Sequence, residues 1–287
     1  MDSPLTRLID HLDLEQIEEN LFRGQSLDLG WGRLFGGHVL AQALLAAERT
    51  VPEDRACHSL HAYFLRSGDV DRPIVYTVDR IRDGRSFTTR RVVAVQKGKA
   101  IFNLSASFHG AEQGFDHHDV MPASTDPGEL LGEDRLAEAI AHLLPDKLAK
   151  AATRPRPIEI RPVDPLNPLK PELRPPHKQI WLRANGPLPD DPRLHRHLLA
   201  YSSDFHLLVT SLQPHGVSWL NPGMQVASLD HSLYFLRPFR MDEWLLYDID
   251  SPSAHGARGL ARGRLFNQRG ELVATTVQEG LIRDRRG

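Results

Sequence analysis

The sequence predicts an α+β protein built from two tandem units, each an antiparallel sheet wrapped around one central helix. Three observations lead there. The run Tyr63-Phe64-Leu65-Arg66 recurs as Tyr234-Phe235-Leu236-Arg237, and at the same offset Ile74-Val75-Tyr76-Thr77-Val78-Asp79 recurs as Leu245-Leu246-Tyr247-Asp248-Ile249-Asp250. Each copy is preceded by a helical run and followed by two strand-like runs joined by a turn. The chain has 287 residues, more than the roughly 100–150 of a usual single domain, so two fused units are expected.

In the first unit, Leu21-Phe22-Arg23-Gly24 reads as a strand. Gly36-Gly37 then opens a helix with Val39, Leu40, Ala43 and Leu44 on one buried face, the spacing of three and four that a helix requires. Thr88 to Gln96 and Ala100 to Phe108 flank Lys97-Gly98-Lys99 and read as an antiparallel hairpin. The second unit repeats the order. Ile180-Trp181-Leu182-Arg183 is its first strand, and a helix opens at Ser202-Ser203-Asp204 with Phe205, Leu208, Val209 and Leu212 buried. Gly259 to Phe266 and Leu272 to Ile282 flank Gln268-Arg269-Gly270 as its hairpin. We place the first unit at residues 1–115, a linker with one helix (Leu136 to Leu148) at 116–157, and the second unit at 158–287. Prolines 122, 127, 145 and 155 surround that helix, and the linker is expected to be ordered. The two units should pack as an internal pseudo-dimer.

Composition removes several function classes. Lysine plus arginine (35) nearly balances aspartate plus glutamate (37), so no global field recruits nucleic acid. No stretch approaches the roughly 20 apolar residues of a membrane-spanning helix, and Met1-Asp2-Ser3-Pro4 is acidic where a signal peptide is basic. Cys57 is the single cysteine, which fits a reducing compartment, and Asp284-Arg285-Arg286-Gly287 is no peroxisomal address. A cytoplasmic protein is expected.

The chain has no G-x-S-x-G elbow, no H-E-x-x-H pair and no G-x-x-x-x-G-K-[ST] loop. Gly30-Trp31-Gly32 with Gly36 misses the spacing of a dinucleotide fingerprint, and no cofactor is expected. The pairs His58/His61, His117/His118 and His195/His197 lack cysteine or carboxylate ligands at metal spacing, so no metal site is expected either.

What the second half does contain is an ordered series of blocks: Ile160-Arg161-Pro162-Val163, Asn167-Pro168, Arg183-Ala184-Asn185-Gly186, Tyr201-Ser202-Ser203-Asp204, Leu212-Gln213-Pro214-His215-Gly216, Leu229-Asp230-His231-Ser232 and Thr276-Val277-Gln278-Glu279-Gly280. With Phe35-Gly36-Gly37-His38 in the first half, they closely resemble the acyl-CoA thioesterase II family. The resemblance implies a double hotdog fold and hydrolysis of medium- to long-chain fatty acyl-CoA by a water held between an aspartate, a hydroxyl residue and a glutamine. Those positions match Asp204, Ser228 and Gln278. Many members carry threonine where Ser228 stands; serine keeps the hydroxyl.

The chemistry of those residue types agrees. A thioester has an electrophilic carbonyl and a thiol leaving group of pKa ~8.5, so one oriented, partly deprotonated water is enough. An aspartate at its ordinary pKa is a poor base, and burial would improve it. Ser228 and Gln278 can each donate and accept hydrogen bonds to that water. Asp204 after two serines also reads as a helix cap. Gly36 and Gly37 at a helix start suit an oxyanion, or simply close packing. His231 suits support of the active-site strand, and His58 an acid or base supplied by the first half. Arg80, Arg82, Arg85, Arg258 and Arg262 are candidates for the CoA phosphates or for solvated strand faces. A homo-oligomer is expected. Two other functions share the fold expectation: an acyl-CoA hydratase or dehydratase, of whose motif Ser67-Gly68-Asp69 is only a fragment, and a non-catalytic acyl-CoA-binding protein.

Overall fold

The computed structural model describes residues 3–30 and 32–286. Helix α1 (Pro4–Leu12) starts where the Ser3 hydroxyl accepts the Thr6 N–H at 3.0 Å, with proline at the first turn, and buries Leu5, Leu8 and Leu12. Strands β1 (Leu14–Glu18) and β2 (Leu21–Gly24), helix α2 (Gly36–Glu48) and strands β3 (Arg55–Phe64), β4 (Ile74–Asp83), β5 (Phe87–Gln96) and β6 (Lys99–Gly110) follow. Gln96 pairs with Lys99 across a two-residue turn in which Lys97 (φ 51°) and Gly98 (φ 71°) are both left-handed, the geometry that matches strand twist.

The second half has β7 (Ile158–Pro162), β8 (His177–Ala184), helices α5 (Pro192–Ser203) and α6 (Leu207–Leu212), and strands β9 (Met224–Ser228), β10 (Asp230–Phe235), β11 (Leu245–His255), β12 (Arg258–Asn267) and β13 (Leu272–Asp284). Strands run in the order β1-β2-β4-β5-β6-β3-β10-β13-β12-β11-β8-β7, with β9 added on β13. The repeated strands β3 and β10 pair antiparallel with Leu60 opposite Leu233, so the two sheets fuse into one at the pseudo-symmetric seam. Helix α2 is buried on nearly every side because the sheet covers one face and α5 the other. This is the double hotdog.

Two sequence expectations change. The second-half helix does not open at Ser202-Ser203-Asp204. Instead α5 ends there, Asp204 is its C-cap, and His206 takes a left-handed conformation (φ 67°) before α6 begins. The Ser202 hydroxyl bonds back to the Leu198 carbonyl (2.7 Å), Ser203 Oγ lies 3.0 Å from the Ala200 carbonyl, and His206 Nε2 is held 2.9 Å from the Glu133 carboxylate. The linker helix is likewise broken. Helices α3 (Glu133–Ile140) and α4 (Asp146–Ala152) are separated by a 3₁₀ turn at Ala141–Leu143, since Pro145 cannot sit inside a helix and instead caps α4.

The linker covers something. On the outer face of the second sheet, Trp181, Leu246, Phe266 and Leu272 form a second apolar cluster, and Met121 and Leu130 pack onto it. Trp181 Nε1 donates to the Thr125 carbonyl at 2.9 Å, satisfying the indole that burial would otherwise strand.

Candidate active site

Three elements of the second half and one of the first converge on Asp204. The break between α5 and α6 turns its carboxylate towards the start of α2, where the Gly37 N–H donates to Oδ2 at 3.0 Å. An acid at a helix C-terminus is electrostatically disfavoured, and the N-terminus of the other unit's helix offsets this. Side chains at the two glycines would destroy the approach. A Cβ on Gly36 would lie 2.6 Å from Asp204 Oδ2, and one on Gly37 would lie 2.1 Å from the Tyr201 carbonyl oxygen. The aromatic rings of Phe35 and Phe205 stack beside them, with centroids 4.7 Å apart.

Ser228 closes β9 opposite Gly280 of β13, and Gln278 lies two residues earlier on β13 with its side chain buried. Ser228 Oγ stands 3.4 Å from Asp204 Oδ1, and Gln278 Nε2 donates to Ser228 Oγ at 3.0 Å. The trio named from sequence is thus one hydrogen-bonded chain. Behind it, His231 Nδ1 is 2.6 Å from Gln278 Oε1, and His231 Nε2 is 2.9 Å from Ser203 Oγ.

Burial dominates the electrostatics. It pushes Asp204 from the usual 3.8 up to about 7, against hydrogen bonds from Gln278, Gly37 and Ser228 that favour the carboxylate. Asp204 and Ser228 nevertheless keep some solvent-reachable surface, whereas Gln278 has almost none. Burial also holds His231 at about 4, so its ring is neutral at physiological pH. A carboxylate near neutrality, beside a hydroxyl and an amide, can take a proton from a water and orient its lone pair.

The other predicted positions separate. His58 lies on the outer face of the sheet, bonded to Ser107 Oγ at 2.8 Å and with its ring against Phe87 and His109, away from the trio. Gly37 spends its N–H on Asp204, so it is not a free oxyanion donor. Cys57 is buried and its thiol pKa is pushed up by burial, which removes the nucleophilic thiolate. Arg80, Arg258 and Arg262 pair with Glu19, Glu279 and Asp250 at 2.8, 3.0 and 2.6 Å. Ser203 was missed by sequence reasoning, which read the two serines only as the opening of a helix and as part of the block that ends at Asp204.

The repeat shows which half carries the polar groups. Ser228 opposite Gly280 corresponds to Cys57 opposite Phe108, and His231 with Gln278 corresponds to Leu60 opposite Ala106. The first half fills the equivalent strand positions with apolar side chains.

Comparison with known proteins identifies the family. The acyl-CoA thioesterase family model matches residues 149–281, and the acyl-CoA thioesterase N-terminal domain model matches residues 27–109. The chain is 44% identical over 283 residues to acyl-CoA thioesterase 2 of Haemophilus influenzae, covering 99% of both chains. It is 42% identical over 280 residues to acyl-coenzyme A thioesterase 8 of Homo sapiens, covering 95% of this chain and 87% of that one. The crystal structure of the acyl-CoA thioesterase II TesB2 from Mycobacterium marinum superposes with a TM-score of 0.79 at 44% identity, covering 98% of each chain. The chain belongs to the TesB-like acyl-CoA thioesterase II family and is, with it, a thioester hydrolase.

Proposed function

We propose that the enzyme hydrolyses medium- to long-chain fatty acyl-CoA to free fatty acid and CoA, using a water held by Asp204, Ser228 and Gln278. The observation that carries this reading is the single hydrogen-bonded chain through the three residues, ending on a carboxylate that burial raises to about 7. Asp204 takes a proton from the water as its oxygen attacks the carbonyl carbon. Ser228 and Gln278 fix the water's orientation, which removes part of the entropic barrier. Collapse of the tetrahedral intermediate then expels the CoA thiolate, a leaving group that needs little help from an acid. The Gly36 N–H, at the helix start and not spent on Asp204, is the donor available to the developing oxyanion. Phe35, Phe64, Tyr201 and Phe205 cluster around that helix start and support an apolar acyl chain.

The hydratase alternative finds no support. The Ser67-Gly68-Asp69 fragment is structural, since Asp69 pairs with Lys97 at 2.6 Å and its backbone N–H donates to Gln96 Oε1 at 2.8 Å. We further propose a cytoplasmic enzyme, in line with a buried free cysteine, and a homo-oligomer, in line with the exposed Tyr63, Leu65 and Leu236 beside the seam. No helix of the described residues is long and apolar enough to cross a membrane.

The test is release of free CoA across a series of acyl chain lengths, with wild type and Asp204→Asn side by side and no added metal. The substitution should lower kcat far more than KM, by about 100-fold or more for loss of a general base. A folded Asp204→Asn protein with near-normal turnover would remove Asp204 from the mechanism. A preference for short acyl chains would overturn the substrate class.

A further inference from the structure

We infer that His231, held in one tautomer by Ser203, is a positioning residue that locks the Gln278 amide with its N–H₂ end towards Ser228 and the attacking water. The inference rests on the proposed role of Gln278.

A glutamine amide has two ends of nearly the same shape and opposite hydrogen-bonding character. Only one orientation gives the site a consistent direction. When His231 Nδ1–H donates to Gln278 Oε1, the amide nitrogen is left to donate to Ser228 Oγ, and the Ser228 hydroxyl proton is free to face Asp204 Oδ1. Reversing the amide would draw the Ser228 proton onto Gln278 and away from the carboxylate. The buried imidazole is neutral, so it carries one proton, and the hydrogen-bond partners of its two nitrogens decide where. Ser203 Oγ stands 2.9 Å from Nε2 and 3.0 Å from the Ala200 carbonyl. That hydroxyl has one proton, and the Asp204 end of the chain sets its destination: an ionised Asp204 Oδ1 only accepts, so Ser228 donates to it and accepts from Gln278 Nε2. Gln278 Oε1 then takes the Nδ1 proton, and Ser203 Oγ turns its own proton from the Ala200 carbonyl to Nε2. The Ser203 backbone is itself held, because the Tyr247 hydroxyl donates to its carbonyl at 2.9 Å.

The repeat supplies an independent argument. The same strand positions in the first half hold Leu60 and Ala106, both buried, so this fold packs the site of a His231–Gln278 pair with apolar groups. A buried polar pair carries a desolvation cost that an apolar pair does not. Fold maintenance therefore leaves His231 unexplained, and orientation of Gln278 explains it.

The experiment compares His231→Leu, His231→Asn, Gln278→Ala and the His231→Leu/Gln278→Ala double variant of the full chain, measuring kcat and KM for CoA release and the unfolding temperature. His231→Leu should lose about 10- to 100-fold in kcat, the scale of a misplaced catalytic group, with KM changed much less. His231→Asn should recover much of that loss, because its amide places an N–H donor near the position of Nδ1. The double variant should be no slower than Gln278→Ala, since both changes remove one orienting device. In parallel, ¹⁵N spectra of histidine-labelled wild type, with the His231 signal found by its absence in His231→Asn, should show Nδ1 protonated. Turnover of His231→Leu within about 2-fold of wild type, while Gln278→Ala is crippled, would overturn the inference and leave the trio standing. A ring protonated on Nε2 would overturn it too. Normal turnover of Gln278→Ala would refute the trio itself. Should the leucine variant not fold, Ser203→Ala takes its place, with a fall in kcat expected and unchanged turnover refuting the tautomer lock.

Discussion

Asp204→Asn should stabilise the folded protein at pH 8 and cease to do so in acid, because the native carboxylate is ionised at a place that disfavours its charge. Its pKa rises from 3.8 unfolded to about 7 folded. A raised folded pKa means that the folded state binds the proton more tightly. The group's stabilising contribution is then complete below pH 3.8 and is lost as pH climbs through about 7. A shift of about three units at about 1.4 kcal/mol each gives an upper figure of about 4 kcal/mol, and the partial exposure of the residue reduces this to about 2 kcal/mol. Asparagine mimics the neutral acid, keeps an oxygen for the Gly37 N–H and can donate to Ser228. The variant should therefore melt higher than wild type by about 4 °C at pH 8, at about 2 °C per kcal/mol for a chain of this size, and no higher at pH 4. The assay is thermal unfolding of both proteins across that pH range, read as the difference between them so that other titrating groups cancel. An equal gain at both pH values, or none at pH 8, would refute burial as the cause of the shift.

Three further outcomes follow from the same geometry. The log of kcat/KM should rise with unit slope below a pKa of about 7 and level off above it, as deprotonated Asp204 accumulates, and a flat profile from pH 5 to 9 would exclude Asp204 as the base. Gly36→Ala should cost turnover more than folding, because its methyl would meet the Asp204 carboxylate at 2.6 Å, whereas Gly37→Ala should cost about 3 kcal/mol of stability by meeting the Tyr201 backbone at 2.1 Å. Thermal melts and CoA release on the two variants separate these effects. Ser228→Thr should keep activity and Ser228→Ala should lose about 10-fold or more in kcat, with equal rates for alanine and wild type making the hydroxyl incidental.

The repeat, the hairpins and the helix α2 were legible because each is a local pattern: alternating apolar residues, Lys97-Gly98 between them, or apolar spacing of three and four after Gly36-Gly37. The break at Asp204 was not. It depends on His206 reaching Glu133 in the linker, a partner far away in sequence, and on Ser202 turning back onto its own helix. The apolar run from Leu136 to Leu148 suggested one helix, but Pro145 interrupts it, a local rule that overrode the pattern. The trio came from resemblance and residue type. Of the groups behind it, His231 was named from the sequence as a support and Ser203 emerged only from the structure, although the sequence held a further clue: aligning the two copies puts His231 and Gln278 against Leu60 and Ala106, polar against apolar at positions the fold treats alike.

That asymmetry also explains why the site needs both halves. The second unit brings a carboxylate to the end of its own helix, where burial and the helix dipole both oppose its charge. The first unit contributes no polar side chain to the trio but supplies the Gly37 N–H from the positive end of α2. Burial alone would drive the acid well above neutrality and leave it protonated at working pH; three hydrogen bonds alone would drive it below its usual range and leave it a feeble base. Opposed, they hold it at about 7. Weakening the Gly37, Ser228 or Gln278 contact should then move the acid limb of the rate profile to higher pH as well as lowering its plateau. A change that only misplaced the water would lower the plateau and leave the limb where it was. The joint movement of limb and plateau in Ser228→Ala and Gln278→Ala therefore tests whether these side chains act on the base itself.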